Sequence, residues 1–253
     1  MNINNLKRIG ICAHSYEGGA LCFLTACREG ARLLGAHMHP NVVLSAIPMG
    51  LSMPAWESDD YEEIAKHLSN GVKEVEKSGA DFFICPDNTG HIVLEKIIDS
   101  LPLPGLHIAD VVCQEILDNN WKKVALLGTK WTMTGTVYSN TFMKNGLERL
   151  IPNNHDRTKI NDAIFDELCQ GLFKQETVDN FIRIIDDLKN SGAECVILGC
   201  TEIPLIINSE NSPLPILDST RLLAKKAVQL ALKETELDNN GWINPQITAT
   251  NKH

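Results

Sequence analysis

The sequence predicts an α/β protein built from two similar halves, each carrying a parallel sheet. Short, near-continuous apolar runs alternate with longer helical patterns, which is how strands covered by helices on both faces read. Each run ends in a polar or glycine-containing turn. Two pairs of segments also repeat one plan: DFFICPDNTGH (81–91) with ECVILGCTEIP (194–204), and KRIGICAHS (7–15) with KKVALLGTKWT (122–132). In the first pair an acidic residue is followed by a strand, a small or rigid residue, a reactive group, a threonine and a helix start. Alignment sets Asp87 opposite Cys200 and Thr89 opposite Thr201.

In chain order, RIGIC (8–12) predicts the first strand and 19–35 the helix after it. NVVLSAI (41–47) is the second strand, followed by PMGLSMPAWESDD (48–60), which reads as an apolar and acidic lid. Asp59 and Asp60 are N-cap residues for a helix over 59–78. DFFIC (81–85) is a third strand, and a helix starts near Thr89. A helix over 108–120 leads to the strand KVALLG (123–128), then helices over 158–170 and 175–191, and the strand CVILG (195–199). Asp218, Ser219 and Thr220 cap a last helix over 218–235. These elements divide as 1–107 with 213–237 for one half and 108–212 for the other, leaving 238–253 as a polar, loosely ordered tail. Two such halves would set strand-end loops across one cleft, and open α/β sheets bind ligands outside the carboxyl ends of their strands.

The composition, 43% hydrophobic and 22% charged over 253 residues, is that of a soluble globular protein able to bury a substantial core. A net charge of −9, with Lys122 and Lys123 as the densest positive pair, argues against nucleic acid as a partner. No apolar run reaches the roughly 18–20 residues that span a bilayer, and MNINNLKRIGIC lacks a signal peptide's apolar core. A cytoplasmic location without membrane contact is expected. The cysteines at 12, 22, 27, 85, 113, 169, 195 and 200 then read as mostly buried thiols, one of them reactive, with neither disulfides nor a metal site expected.

Cys200, between a strand and an expected helix beginning near Thr201 to Pro204, is the first candidate for chemistry. Free backbone N–H groups and the helix dipole there would stabilise a thiolate; the other reading is a small buried hydrophobe. Asp87 stands at the matching point and is either an acid–base group or a helix N-cap. Asn88, Thr89, Thr129, Thr132 and Thr201 are short hydrogen-bonding side chains at strand ends, suited to holding a small carboxylate or to turn and cap duty. His91 and His14 border the same turns, each as a titrating group or a structural histidine.

So assembled, the chain resembles the aspartate/glutamate racemase superfamily of cofactor-independent amino-acid racemases, from about Lys7 to about Leu232. PDNTGH (86–91), GTKWT (128–132) and ILGCTEIP (197–204) carry the resemblance, supported by LDSTRLLA (217–224). It implies two pseudo-symmetric Rossmann-like halves with the active site between them, no cofactor, and a homodimer. It also implies two thiols flanking the substrate α-carbon, one removing the α-proton and the other returning one from the opposite face. Cys200 matches the second thiol, and Asp87 stands where the first is usual. Asn88, Thr89, Thr129, Thr132 and Thr201 match positions holding the α-carboxylate and ammonium of an amino-acid substrate, and Ser15, in the loop after the first strand, joins them.

The chain departs from that pattern in ways that shape its chemistry. A reference thiol and a reference aspartate differ by about 6 kcal/mol in proton affinity, so the expected chemistry is asymmetric, one stereochemical direction being served better. Cys85 falls on Asp87's side of the strand but about 6–7 Å deeper, so Asp87 is the favoured group. No arginine lies between Arg32 and Arg149, and the apolar lid with Met49, Met53, Pro54 and Trp56 suits an uncharged side chain, Lys130 being one cation at hand. Two other activities fit the motifs: decarboxylation of a substituted malonate by Cys200 alone, and ligand binding without catalysis.

Overall fold

The computed structural model describes residues 6–248 except 235 and 239. The chain divides into two compact units, one made of the described residues up to Val111 together with those from Thr220 onward, the other of Val112–Ser219.

The first unit is built on five parallel strands in the order β2-β1-β3-β4-β9: β1 (Ile9–Ala13), β2 (Val42–Ala46), β3 (Phe82–Ile84), β4 (Gly105–Leu106) and β9 (Trp242–Ile243). Helix α1 (Tyr16–Leu34) leads from β1 toward β2. The segment expected to form a lid holds a 3-10 turn at Met49–Leu51 and a short helix, α2 (Met53–Glu57), whose Trp56 is buried and packs edge-on against Tyr61. Helix α3 (Tyr61–Lys77) starts at Asp60, whose carboxylate accepts the Glu63 N–H at 3.1 Å. Its apolar stripe of Ile64, Leu68, Val72 and Val75 is fully buried or nearly so. A Cβ at Gly10 would come within 2.7 Å of Val75, so glycine in β1 lets this helix lie directly on the strand. Helix α4 (His91–Ile97) follows β3, and α5 (Ile108–Asp118) begins in this unit.

The second unit has four parallel strands in the order β6-β5-β7-β8: β5 (Lys123–Gly128), β6 (Glu148–Leu150), β7 (Cys195–Gly199) and β8 (Ile216–Asp218). The connections are α6 (Lys130–Thr134), α7 (Thr136–Asn145), α8 (Asn154–Asp166) and α9 (Gln175–Asn190). Its core joins Ile160 and Ile164 of α8 and Phe181, Ile184 and Ile185 of α9 to Ala125, Leu127, Val196 and Leu198. Helix α10 (Ser219–Ala231) returns the chain to the first unit.

In each sheet the strands run second, first, third, fourth in chain order, and the first sheet adds β9. The segments that repeat in sequence are therefore topological counterparts, β1 with β5 and β3 with β7. Three sequence expectations are corrected. Helix α8 starts at Asn154 rather than 158, because Asn153 caps it by accepting the Asp156 N–H. The crossing between units comes at Ser219–Thr220 rather than after 212, because β8 completes the second sheet. The 238–253 segment is not wholly a loose tail, since Trp242 and Ile243 pair with Gly105 and Leu106; its last residues, 249–253, lie outside the described residues. No helix among the described residues is long and apolar enough to cross a membrane.

Candidate active site

In the first unit β1 and β3 run side by side, with Ile11 level with Ile84, so the turns that follow them are neighbours. One carries His14 and Ser15, the other Asp87, Asn88 and Thr89. His14 is 5% exposed, and its Nδ1 lies 3.4 Å from Asp87 Oδ2, an ion-pair distance outside close hydrogen-bond geometry. Its Nε2 is buried with no hydrogen-bond partner among the described residues. A quarter of the Asp87 side chain remains exposed. Burial alone would raise the Asp87 carboxyl, but His14 and the Gly90 backbone N–H outweigh it and hold the group below its ordinary value. Asp87 is thus biased toward carboxylate.

The backbone of this turn is clamped from below. His91 is fully buried; its Nε2 accepts the Ile108 N–H at 3.3 Å, so Nδ1 carries the ring proton and donates it to the Asp87 carbonyl at 2.9 Å. Burial, and then the charge of nearby His107, push His91 down to about 3, so the ring is neutral. Asn88 and Thr89 are buried and close the turn through their carbonyls, which accept from His91 and Ile92. Cys85 is buried beneath, its thiol pushed well up by burial and by Asp87, consistent with a core thiol rather than a second acid–base group.

In the second unit β5 and β7 are in register from Val124 and Cys195 to Gly128 and Gly199, so Thr129 and Cys200 leave adjacent strand ends. Cys200 is 9% exposed, and its thiol donates to Glu202 Oε2 at 2.9 Å. The Thr201 hydroxyl donates to the same oxygen at 2.7 Å. Burial, and then the charge and hydrogen bond of Glu202, push the thiol well above its ordinary value. The expected thiolate at a helix N-terminus is therefore corrected: the chain after Cys200 makes only a 3-10 turn, Ile203–Leu205, and the neighbour that decides is a carboxylate. At rest Cys200 is a thiol.

Other candidate residues do local work. Ser15 caps α1, its hydroxyl accepting the Gly18 N–H at 3.2 Å. Thr129 caps α6 by accepting the Thr132 N–H at 3.2 Å, and Thr132 is fully enclosed, packed against Gly128 and Gly199. The Lys130 ammonium lies 4.3 Å over the Trp131 ring. Glu202 was missed in the sequence reading, although GCTEIP places an acid two residues past the cysteine. His14 was noticed without a role, because nothing local shows that β1 and β3 are neighbours.

A family model described as Asp/Glu/Hydantoin racemase matches residues 21–227. The broad specificity amino-acid racemase RacX of Bacillus subtilis (strain 168) is 31% identical over 173 residues, 68% of this chain and 74% of that protein. The crystal structure of an aspartate racemase homologue from Pyrococcus horikoshii OT3 shares 31% identity at a TM-score of 0.75, covering 90% of this chain and 100% of that one. That of an Asp/Glu racemase candidate from Yersinia pestis shares 29% at a TM-score of 0.81, with the same coverage. With the family model spanning most of its length and both sheets built as the repeat requires, the chain belongs to the Asp/Glu/hydantoin racemase family of isomerases.

Proposed function

We propose that the protein is a cofactor-independent amino-acid racemase or epimerase in which Asp87 and Cys200 serve opposite faces of the substrate α-carbon. The observation that carries the reading is the pair of opposite surroundings at matched strand ends, a histidine beside the Asp87 carboxyl and a carboxylate accepting from the Cys200 thiol. In one direction Asp87 takes the α-proton, the Cα–H electron pair remains on the substrate as an enediolate, and the Cys200 S–H delivers a proton to the other face. The enzyme is left with a protonated Asp87 and a Cys200 thiolate, and returns to rest by running in reverse or by exchanging protons with water. Negative charge developing on the substrate carboxylate needs donors already in place; Asn88, Thr89, Thr201 and the backbone N–H groups beside them are the groups proposed for it.

The reference gap of about 6 kcal/mol between carboxylate and thiol is widened by this environment, since Asp87 moves down and Cys200 moves up. One enantiomer therefore meets the resting form, and the other needs the rarer form. The substrate proposed is an amino acid with an uncharged side chain. Two observations support this: the stretch from Arg32 to Arg149 has no arginine, and Lys130 is occupied by Trp131. The broad specificity of the Bacillus relative agrees with it. Incubation with L- and D-amino acids in deuterated water, without cofactor, tests the reading. Deuterium at Cα together with the opposite enantiomer is expected, and neither with any amino acid would reject it.

The protonated resting state of Cys200 also favours a second reading. A thiol is the acid that protonates a carbanion left by loss of carbon dioxide from a substituted malonate, and Asp87 would then be a spectator. Release of carbon dioxide from malonates, unaffected by Asp87→Asn, would select it.

A further inference from the structure

The family match ends at residue 227, yet the chain continues into β9, and the tryptophan of that strand stacks on His91, whose ring donates to the Asp87 carbonyl. Trp242 lies nearly parallel to His91, 5.7 Å between ring centroids at 21°. It also meets the edge of His107 at 4.7 Å and Phe83 at 6.2 Å. Strand β4 is shaped to receive it. Gly105 N–H donates to the Gly241 carbonyl at 3.0 Å, and a Cβ at Gly105 would come within 2.6 Å of Phe83 and 3.0 Å of Trp242. Only glycine leaves room there for both rings.

We infer that Trp242 is a positioning residue for Asp87, acting through His91. The inference rests on the proposed acid–base role of Asp87. The His91 ring is held at four points: Nε2 by the Ile108 N–H, Nδ1 by the Asp87 carbonyl, one face by the indole, and an edge-to-face contact with the His107 ring at 4.8 Å. Two of these are hydrogen bonds in the ring plane and do not resist tilting about their axis, whereas the stacked indole does. The carbonyl that His91 holds belongs to the residue whose carboxylate faces the Gly90 N–H and His14, so a tilted ring releases the turn that aims it. The charged groups around the stack, Glu95 at 3.2 Å and Asp110 at 4.0 Å, face His107 rather than His91. Displacing a catalytic group by about 1 Å costs on the order of 10² in rate, so a strand outside the family match governs one of the two faces.

Exchange of the α-hydrogen of each enantiomer in deuterated water, in Trp242→Ala and Trp242→Phe, reads this directly. The enantiomer that depends on Asp87 is first identified with Asp87→Asn. In Trp242→Ala its exchange is expected to fall about tenfold or more, while the enantiomer that depends on Cys200 stays within about twofold; Trp242→Phe retains most of both. Solvent protection of the His91 Nδ1–H, followed by nitrogen-15 magnetic resonance, is expected to drop in Trp242→Ala and persist in Trp242→Phe. Equal losses for the two enantiomers, or an unchanged His91 proton in Trp242→Ala, would overturn the inference. Should the wild-type protein exchange no amino acid, the racemase reading fails by itself. The His91 proton then decides on its own whether Trp242 holds this turn.

Discussion

The end of β3 and the end of β7 are built on one backbone plan and filled with opposite chemistry. Each follows a strand paired to the first strand of its sheet, and the proposed acid–base group stands three residues past β3 in the one and one residue past β7 in the other. At the first, histidine and backbone N–H groups surround a carboxylate and favour its charge; at the second, a carboxylate accepts from a buried thiol and disfavours charge on sulfur. The repeat has kept the geometry and inverted the electrostatics. A symmetric relay needs two groups of similar proton affinity, whereas in the proposed reaction this arrangement would keep one proton on sulfur and leave the carboxylate to accept. The enantiomers of a free amino acid are equal in energy, so kcat/KM for racemisation is the same in both directions. The asymmetry belongs in kcat and KM taken separately, and in exchange that occurs without inversion.

Removing the thiol breaks this comparison most severely. Cys200→Ala is expected to lower racemisation about 10³-fold, within the range for losing a general acid–base group, as followed by chiral chromatography. Asp87→Cys sharpens it by making the two ends alike. The kcat values for the two enantiomers should draw together, and unchanged values would show that the carboxylate was not the source of the bias. Glu202→Gln removes the charge that raises the Cys200 thiol, so more thiolate is present at a given pH. Alkylation by iodoacetamide at pH 8 should become several-fold to about tenfold faster, while burial keeps the thiol above its ordinary value.

A further effect concerns stability. His91 is pushed down to about 3 in the folded protein, against about 6.5 in an unfolded chain. The unfolded chain therefore binds this proton first. Stability is complete above about pH 6.5 and declines as the pH falls toward 3, by at most about 5 kcal/mol. Urea titrations between pH 7 and 4 should show that slope, and His91→Leu should flatten it.

Much of the frame was legible because long apolar runs and helix caps are local signals. The strands at 8–12, 41–47, 81–85, 123–128 and 195–199 appear within a residue or two of their expected ends, and Asp60 caps as read. Strands β4, β6, β8 and β9 were missed because each has only two or three residues, too few for periodicity, and is fixed by pairing with a neighbour. At the candidate site the sequence showed Asp87 and Cys200 through the internal repeat. Their protonation bias was hidden, because it depends on His14 across two strands and on whether a helix or a single 3-10 turn follows Cys200. Trp242 sits in a polar stretch that reads as a tail, and only the missing side chain of Gly105 makes a place for it.

The central claim is that Asp87 moves a proton. Wash-out of the α-hydrogen in deuterated water, measured for each enantiomer separately in the wild-type protein and in Asp87→Asn, tests it most directly. The account predicts that one enantiomer loses its exchange by about 10² or more in Asp87→Asn, while the other still exchanges through Cys200. Wild-type exchange of both enantiomers by Asp87→Asn would contradict it and leave Asp87 as a residue that shapes its turn.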